Sequence, residues 1–455
     1  MFSKILVANR GEIALRIIRA CKELGINTVA VFSKEDENSL PVHFADEAIC
    51  IGPREPTKSY LNIPQIVSAA EVAGAEAIHP GYGFLAENEQ FAEICRSSGI
   101  NFIGPPHEVI KKLGNKVEAR NILSKVGIPV IPGSKEVIKD KAEAKRAASH
   151  IGYPLVLKAS LGGGGRGMRV VKEEKNLDLM FDLAQQEAKA SFGEADLYIE
   201  KYLSKARHIE FQILADEYGN VFHFGERNCS IQRRYQKLIE ESPSLALDGS
   251  LRKKMGDVAV KVAKILDYKG AGTVEFLLND NRDFYFIEMN TRLQVEHPVT
   301  EMVTGKDLVK DQIRIAAGEE LLYSQKDIKI QGFSMECRIN AEDPDKNFTS
   351  SPGKITTFHL PGGPGVRVDT HIFNGCHVSP SYDSLLAKLI TWGEDRNEAI
   401  VRMKRALEEF VIEGVKTTIP FHQMIIEDEH FIRGAFYIDF VEEKLRKKAG
   451  LEGKQ

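Results

Sequence analysis

The chain has 455 residues, 43% of them hydrophobic and 28% charged, with a formal net charge of −4 and a pI near 6.4. A sequence of this length outgrows one hydrophobic core, so about two to four domains are expected, and the absence of a basic stripe disfavours nucleic-acid and membrane-surface partners. The six cysteines are scattered without a Cys-x-x-Cys pair, which disfavours zinc and suits buried free thiols in a reducing compartment. The apolar run near the N-terminus is too short for a signal peptide, and no run approaches membrane-spanning length, so a cytoplasmic protein is expected. Residues 4–103 alternate strand and helix. Lys4–Ala8 reads as a buried strand. Glu12–Leu24 has helical spacing through Ile13, Ile17, Ile18 and Cys21, and Gly25 ends it. Strand Asn27–Phe32, helices Pro64–Ala73 and Glu87–Ser97, and short strands at Ala77–Ile78 and Asn101–Ile103 complete a βαβ rhythm, which predicts a parallel, Rossmann-like α/β sheet. Two helical runs follow Pro106 and lead to a proline-rich hinge at Ile128–Gly133. Residues 134–203 predict a small α+β subdomain with a glycine-rich loop. Strands at His208–Ala215, Val221–Arg227, Gly272–Leu278 and Phe284–Met289 alternate apolar and polar residues, as an antiparallel sheet with one face on a core does. From about residue 331, turn signals separate short strands before a helix at Asn397–Phe410, and the tail is expected to fray from Lys444.

The densest chemistry lies in Glu288–Glu301 (EMNTRLQVEHPVTE). Glu288 and Asn290 are two apart on a strand, so both project from one face and offer oxygen ligands to a hard cation such as Mg²⁺. Apolar Phe284, Phe286 and Met289 around Glu288 predict a buried carboxylate that needs a cation. Arg292, Gln294 and Glu296 add a cationic fork, an amide and a carboxylate, which suits an anion reacting beside a metal-bound phosphate. The segment Gly162–Gly167 (GGGGRG) matches G-x-G-x-x-G, but strand-like Met168–Val171 follows it instead of a helix. It therefore predicts a hairpin tip whose backbone N–H groups lie over phosphates, with Lys158, Arg166 and Arg169 nearby. No Walker A sequence occurs.

The order of these features resembles an ATP-grasp site: Lys116, then Lys158 before the glycine loop, the strand end Tyr198–Leu203, Glu275, and Glu288 with Asn290 on the next strand. Further segments resemble the biotin carboxylase family over residues 3–446: Val7–Ala14 (VANRGEIA), His79–Leu85 (HPGYGFL), Gly225–Ser230 (GERNCS), Gln232–Arg234, Phe286–Arg292 (FIEMNTR) and Glu336–Pro344 (ECRINAEDP). The resemblance implies a Rossmann-like N-terminal domain at 1–114, and an ATP-grasp domain at 115–330 with a mobile lid at about 131–203. A mixed α+β C-terminal domain at 331–446 and a polar tail at 447–455 follow. It also implies roles. Lys116 and Lys158, with Gly164 and Gly165, would hold ATP phosphates, while Glu200, Lys201 and Leu203 would line adenine. His208 and Gln232 would sit near ribose or phosphate, and Glu275, Glu288 and Asn290 would bridge two Mg²⁺ or Mn²⁺ ions. Arg292, Gln294, the Val295 backbone and Lys237 would bind bicarbonate, and Glu296 would deprotonate it. Arg338 would face the ureido oxygen of biotin, with Tyr82 as a wall of that pocket. A strand salt bridge from Arg338 to Asp383 is the plainer expectation and is compatible with that role.

The implied reaction is ATP- and bicarbonate-dependent carboxylation of biotin through carboxyphosphate. Met403-Lys404 is the sole trace of a Met-Lys-Met biotinylation motif and falls in an amphipathic helix, so a separate biotin carboxyl carrier protein is implied, together with a carboxyltransferase subunit. Two positions depart from the family: Tyr235 replaces a histidine near the nucleotide, and Pro364 replaces an aromatic at the dimer contact. Arg16, Arg19, Glu23 and Arg367 remain to support a homodimer. Acetyl-CoA, propionyl-CoA and pyruvate systems all use such a component, and nothing in the sequence selects among them. Another ATP-grasp ligase, joining a carboxylate to an amine, would share the lysines and metal ligands but not Arg338 or the 292–296 cluster. A nucleotide-binding regulator would tolerate loss of Glu296.

Overall fold

The computed structural model describes residues 1–160, 167–193 and 195–448. The N-terminal sheet is five-stranded and parallel, in the order Glu47–Gly52, Asn27–Ser33, Lys4–Val7, Ala77–His79, Asn101–Phe102. Helices Gly11–Glu23, Ile63–Ala73 and Glu89–Ser97 cover it, so Ile5 and Val7 bury on one face and Leu6 on the other. A continuous apolar strand such as Lys4–Val7 is what that double cover requires. Strand Glu47–Gly52 was not foreseen in the sequence. It lies at the sheet edge with its first two residues exposed, and an edge strand carries a weak apolar signal.

Asn115 caps the helix Lys116–Lys125 by accepting from the Glu118 amide at 3.1 Å. The next unit is a three-stranded antiparallel sheet, Arg169–Val171, Leu155–Ala159 and Leu197–Lys201, packed by helices Lys141–Ile151 and Leu177–Phe192 around its own core. Leu155–Leu157 pairs antiparallel with Arg169–Val171, as the hairpin reading requires. Gly164, Gly165 and Arg166 lie outside the described residues.

The largest sheet is eight-stranded and antiparallel: Phe284–Asn290, Gly270–Leu278, Arg207–Ala215, Val221–Arg233, Gln236–Ser242, Phe333–Asn340, Leu385–Gly393, Val366–Thr370. It differs from the sequence expectation in two ways. Val221–Arg233 runs past Arg227 and turns back through Arg234-Tyr235, both with positive φ, into Gln236–Ser242, a strand the alternation did not reveal. A two-residue turn of that handedness matches the twist of the strands. Nor is one face solvated. Ile209, Phe211 and Ile213 pack against helix Gly249–Ile265, while the polar His208, Glu210 and Gln212 are buried on the other face. Helix His297–Thr304 contributes Thr300, which accepts from Arg227 on that second face. The boundary expected at residue 331 is spanned by the same sheet, because Gln236–Ser242 pairs with Phe333–Asn340.

Among the described residues no helix is long and apolar enough to cross a membrane. All six cysteines are free. Four are buried as expected, but Cys376 is half-buried and Cys50 is exposed on the edge strand. The expected fraying from Lys444 is replaced by helix Phe440–Lys448, where Lys444 pairs with Asp428.

Candidate active site

A cleft of about 820 Å³ lies where the three sheets meet, lined from Arg10 and Tyr82 through Lys116, Lys158 and Leu203 to Arg338. Its two ends differ in chemistry and are joined by one carboxylate, Glu275.

At the first end, Lys116 is the opening residue of its helix, and its Nζ lies 2.5 Å from Glu288 Oε2. A cation at a helix N-terminus opposes the macrodipole, so this lysine and the positive end of the helix behind it together suit an incoming anion. Burial works against its charge, but Glu288, aided by Glu275 and Glu200, raises its pKa above the usual lysine value. Lys158 Nζ lies 2.6 Å from buried Glu200, with Arg120 Nε 3.8 Å from the same carboxylate. Glu200 and Lys201, although adjacent in sequence, take different partners. Lys201 Nζ donates instead to the carbonyls of Tyr153 at 2.9 Å and Gly152 at 3.3 Å. Leu203, Gln232 and Tyr235 line the cleft beside them, Tyr235 at the tip of its tight turn.

Glu275 and Glu288 stand opposite one another on paired strands, with a register shift just after Glu275. Phe284, Phe286 and Met289 do not surround Glu288, contrary to the sequence reading. They enter the core under helix Gly249–Ile265, while the Glu288 side chain faces the cleft and stays 25% exposed. Glu275 is the buried member. It accepts from His208 Nε2 at 2.9 Å, Lys237 Nζ at 3.1 Å, Asn290 Nδ2 at 2.8 Å and Gln294 Nε2 at 3.0 Å. Burial alone would raise its pKa, but Lys237 and His208 hold it well below the usual carboxylate range. His208 therefore meets this carboxylate directly. Glu275, Glu288 and the Asn290 amide oxygen form a hard, oxygen-only donor set whose charge is balanced here by Lys116 and Lys237. That set fits Mg²⁺ or Mn²⁺.

The second end is the loop before helix His297–Thr304. Arg292 Nε lies 2.9 Å from Glu87 Oε2, and its Nη1 donates to Gln294 Oε1 at 3.0 Å. Glu87 also accepts from the Thr291 amide, so it fixes both the loop and the guanidinium plane. The Val295 carbonyl accepts from fully buried Lys388 at 3.1 Å. Glu296 is fully buried between Lys237 Nζ at 2.5 Å and Arg338 Nη2 at 2.8 Å. Burial disfavours its charge, yet Lys237 and Arg338 hold its pKa well below 4.5. Lys237 meets three carboxylates, Glu210 at 2.5 Å, Glu275 and Glu296, and they raise its own pKa well above 10.5 despite burial. Arg338 does not pair with Asp383. Its Nε donates to Glu240 at 2.6 Å, because Glu240 lies on the neighbouring strand of the large sheet. Tyr82 is half-buried on the cleft wall and donates to Glu12, which itself lies 3.1 Å from Lys388 Nζ.

The sequence reading missed Glu87, Glu210, Glu240 and Lys388. Glu210 carried a signal, since His208, Glu210 and Gln212 put polar groups at period two inside an apolar strand. Glu240 sat on the unrecognised strand, and the others become partners only through contacts more than 90 residues apart.

Residues 1–110 match the biotin carboxylase N-terminal domain, residues 115–324 the ATP-binding domain of the carbamoyl-phosphate synthase L chain, and residues 336–443 the biotin carboxylase C-terminal domain. The chain is 56% identical to biotin carboxylase 1 of Bacillus subtilis over 443 residues, which cover 97% of this chain and 98% of that one. It is 57% identical to the biotin carboxylase of a Nostoc species over 442 residues, covering 97% and 99%. It is similar, with a TM-score of 0.95 and 53% identity over 98% of each chain, to the biotin carboxylase domain dimer of Hydrogenobacter thermophilus 2-oxoglutarate carboxylase, solved with MgADP, ADP and bicarbonate. Parallel sheet, small antiparallel unit and continuous large sheet around one cleft define an ATP-grasp enzyme. The chain belongs to the biotin carboxylase family.

Proposed function

We propose that the chain carboxylates biotin on a separate carrier protein, using ATP and bicarbonate and releasing ADP and phosphate. The observation that carries this reading is Glu296, buried between Lys237 and Arg338. Lys237 ties it to Glu275 at the phosphate end, and Arg338 ties it to the opposite wall. In this reading Lys116 and Lys158 take the phosphates of ATP, and Glu200, Lys201, Leu203, His208, Gln232 and Tyr235 frame the nucleotide. Glu275, Glu288 and Asn290 would hold the two metal ions, which supply charge neutralisation at the phosphates.

Bicarbonate binds at Arg292, Gln294, the Val295 backbone and Lys237. Its negative charge draws Lys237 and Arg292 toward itself, so Glu296 loses part of its own neutralisation and gains proton affinity. It then takes the bicarbonate proton as a bicarbonate oxygen attacks the γ-phosphorus and ADP leaves. The resulting carboxyphosphate splits into CO₂ and phosphate. Phosphate takes the ureido N–H proton, the ureido nitrogen adds to CO₂, and Arg338 neutralises the enolate oxygen beside Tyr82. One well-aimed donor of this kind is worth about 3–4 kcal/mol.

The domains divide at 1–114, 115–330 and 331–446, with the reaction centre on the sheet shared by the last two. The chain works in the cytoplasm with a biotin carboxyl carrier protein and a carboxyltransferase. It forms a homodimer around Arg16, Arg19, Glu23 and Arg367, a reading supported by the dimeric relative. Pro364 weakens that contact, so dimer strength is read by sedimentation. ADP release tests the reaction: it must require bicarbonate and rise with free biotin. Glu296→Ala and Arg338→Ala must keep ATP binding and lose biotin-dependent turnover. Stimulation by an amino acid, with none by biotin, would instead mark a carboxylate–amine ligase.

A further inference from the structure

Behind Arg338 lies a pair of acids that the proposed reaction does not use. Glu240 and Glu336 are direct cross-strand partners between Gln236–Ser242 and Phe333–Asn340, and both are fully buried. Side chains opposite one another on an antiparallel pair have Cβ atoms about 5 Å apart. Glu240 Oε1 accepts from Arg338 Nε at 2.6 Å. Glu240 Oε2 and both oxygens of Glu336 find no donor among the described residues. Every charged group facing the pair is committed elsewhere. On Leu385–Gly393, Lys388 Nζ serves the Val295 carbonyl, Glu12 and Asp369. On Val366–Thr370, Arg367 and Asp369 pair with each other, and Arg367 also holds Glu301. At the start of helix His297–Thr304, Glu296 holds Arg338 and Lys237, and His297 is kept neutral by burial with Lys388 and two arginines nearby. Two fully buried carboxylates facing each other, with one guanidinium between them and Glu296, cannot both ionise.

We infer that Glu240 and Glu336 share a single proton and that the pair is a positioning device for Arg338. Glu336 carries the proton and donates it to Glu240 Oε2. Glu240 stays anionic and grips Arg338 Nε, leaving Nη2 aimed at Glu296 and the cleft. Burial raises both acids, Glu336 the further of the two, while Arg338 works to hold Glu240 as the anion. Removal of the proton at alkaline pH places a third carboxylate against Arg338 and pulls the guanidinium away from a developing enolate. Lys388 opposes that charge from the adjoining strand, but its Nζ is already engaged by the Val295 carbonyl and Glu12. The positioning role rests on the reading that Arg338 faces biotin. The shared proton does not.

The test uses Glu336→Gln, which copies the protonated acid in shape and charge, in the full chain. The infrared spectrum of the parent at neutral pH should contain a protonated-carboxyl C=O band that this variant lacks. Biotin-dependent turnover at neutral pH should stay within about threefold of the parent, and the alkaline limb of its pH profile should move up by about one unit or more. A purely structural role for Glu336 would not move that limb. Glu240→Gln is the second variant: it should keep the infrared band, retain ATP affinity and cut biotin-dependent turnover about tenfold or more by loosening Arg338. If Glu336→Gln does not fold, loss of the band or unchanged turnover in Glu240→Gln overturns the inference. Identical infrared spectra for parent and Glu336→Gln would overturn the shared proton, even where Arg338→Ala proves that Arg338 serves biotin. A lost band with superimposable pH profiles would overturn the positioning role.

Discussion

Replacing Lys237 with methionine removes the one ammonium shared by Glu210, Glu275 and Glu296. The three carboxylates lie 2.5, 3.1 and 2.5 Å from Nζ, and Lys237 is 11% exposed at the side chain. Stripping one partner from a buried ion pair costs about 3–5 kcal/mol. Each acid keeps another partner, Arg227 for Glu210, His208 for Glu275 and Arg338 for Glu296, so the cost stays near the lower end of that range. Against a total stability of about 5–15 kcal/mol this is large but survivable. The pH sign follows from the pKa directions. In the parent, Glu275 and Glu296 are depressed, so their stabilisation is present above the unfolded value and is lost as pH falls through the folded one. In Lys237→Met the released carboxylates rise instead, and lowering the pH helps the variant by protonating them. Urea unfolding at pH 8 and pH 6 should therefore show a deficit that shrinks at the lower pH. Bicarbonate-dependent ADP release should be lost at both. A variant as stable as the parent at pH 8, or one with a deficit independent of pH, would refute the reasoning.

Lys116→Ala should weaken ATP binding about 10–100-fold, the loss of one charge-assisted contact, while leaving the fold intact; calorimetric titration with unchanged affinity would remove Lys116 from the phosphate site. His422, fully buried with Nε2 at 2.6 Å from the Arg338 carbonyl, is pushed down to about 4 by burial. Its contribution is complete above the unfolded value near 6.5 and is lost below it, so the stability drop from pH 7 to pH 5 should be about 2 kcal/mol smaller in His422→Gln than in the parent. Equal drops in the two proteins would contradict a neutral, buried ring. A Cβ on Gly133 would lie 2.3 Å from the Ile199 carbonyl oxygen and 3.0 Å from the Arg120 guanidinium. Gly133→Ala should therefore cost about 1–3 kcal/mol and disturb the adjoining Glu200, seen as lower thermal stability and weaker ATP binding; parent-like values of both would show that the hinge yields freely.

Four strands of the N-terminal sheet were legible because they are short apolar runs set between helices that end at glycines, whereas the exposed edge strand Glu47–Gly52 was not. The strand after the glycine loop was legible from Val170 and Val171 in a run too short for a helix, and it pairs antiparallel with Leu155–Leu157, while the loop tip lies outside the described residues. The large sheet was harder. Its polar residues alternate as if solvated, yet His208, Glu210 and Gln212 face a buried charged layer and not water. Gln236–Ser242 ends in paired glutamates that look like surface charge until Arg338 and Arg396 are placed against them. The cleft residues could be named from their order, but not who neutralises whom. Arg292 looked like a free fork and is held by Glu87 from the far side of the cleft, while Arg338 found Glu240 in place of nearby Asp383. Such pairings depend on strand register across the chain, which local sequence does not encode.

The central claim is that bicarbonate itself attacks ATP in this cleft. Turnover with oxygen-18 bicarbonate and free biotin, followed by mass analysis of the released phosphate, tests it directly. The account predicts that one bicarbonate oxygen appears in the phosphate, with labelled biotin carboxylate formed alongside, and that Glu296→Ala abolishes both. Unlabelled phosphate released at the parent rate would mean that water, not bicarbonate, attacks the nucleotide, and would contradict the account.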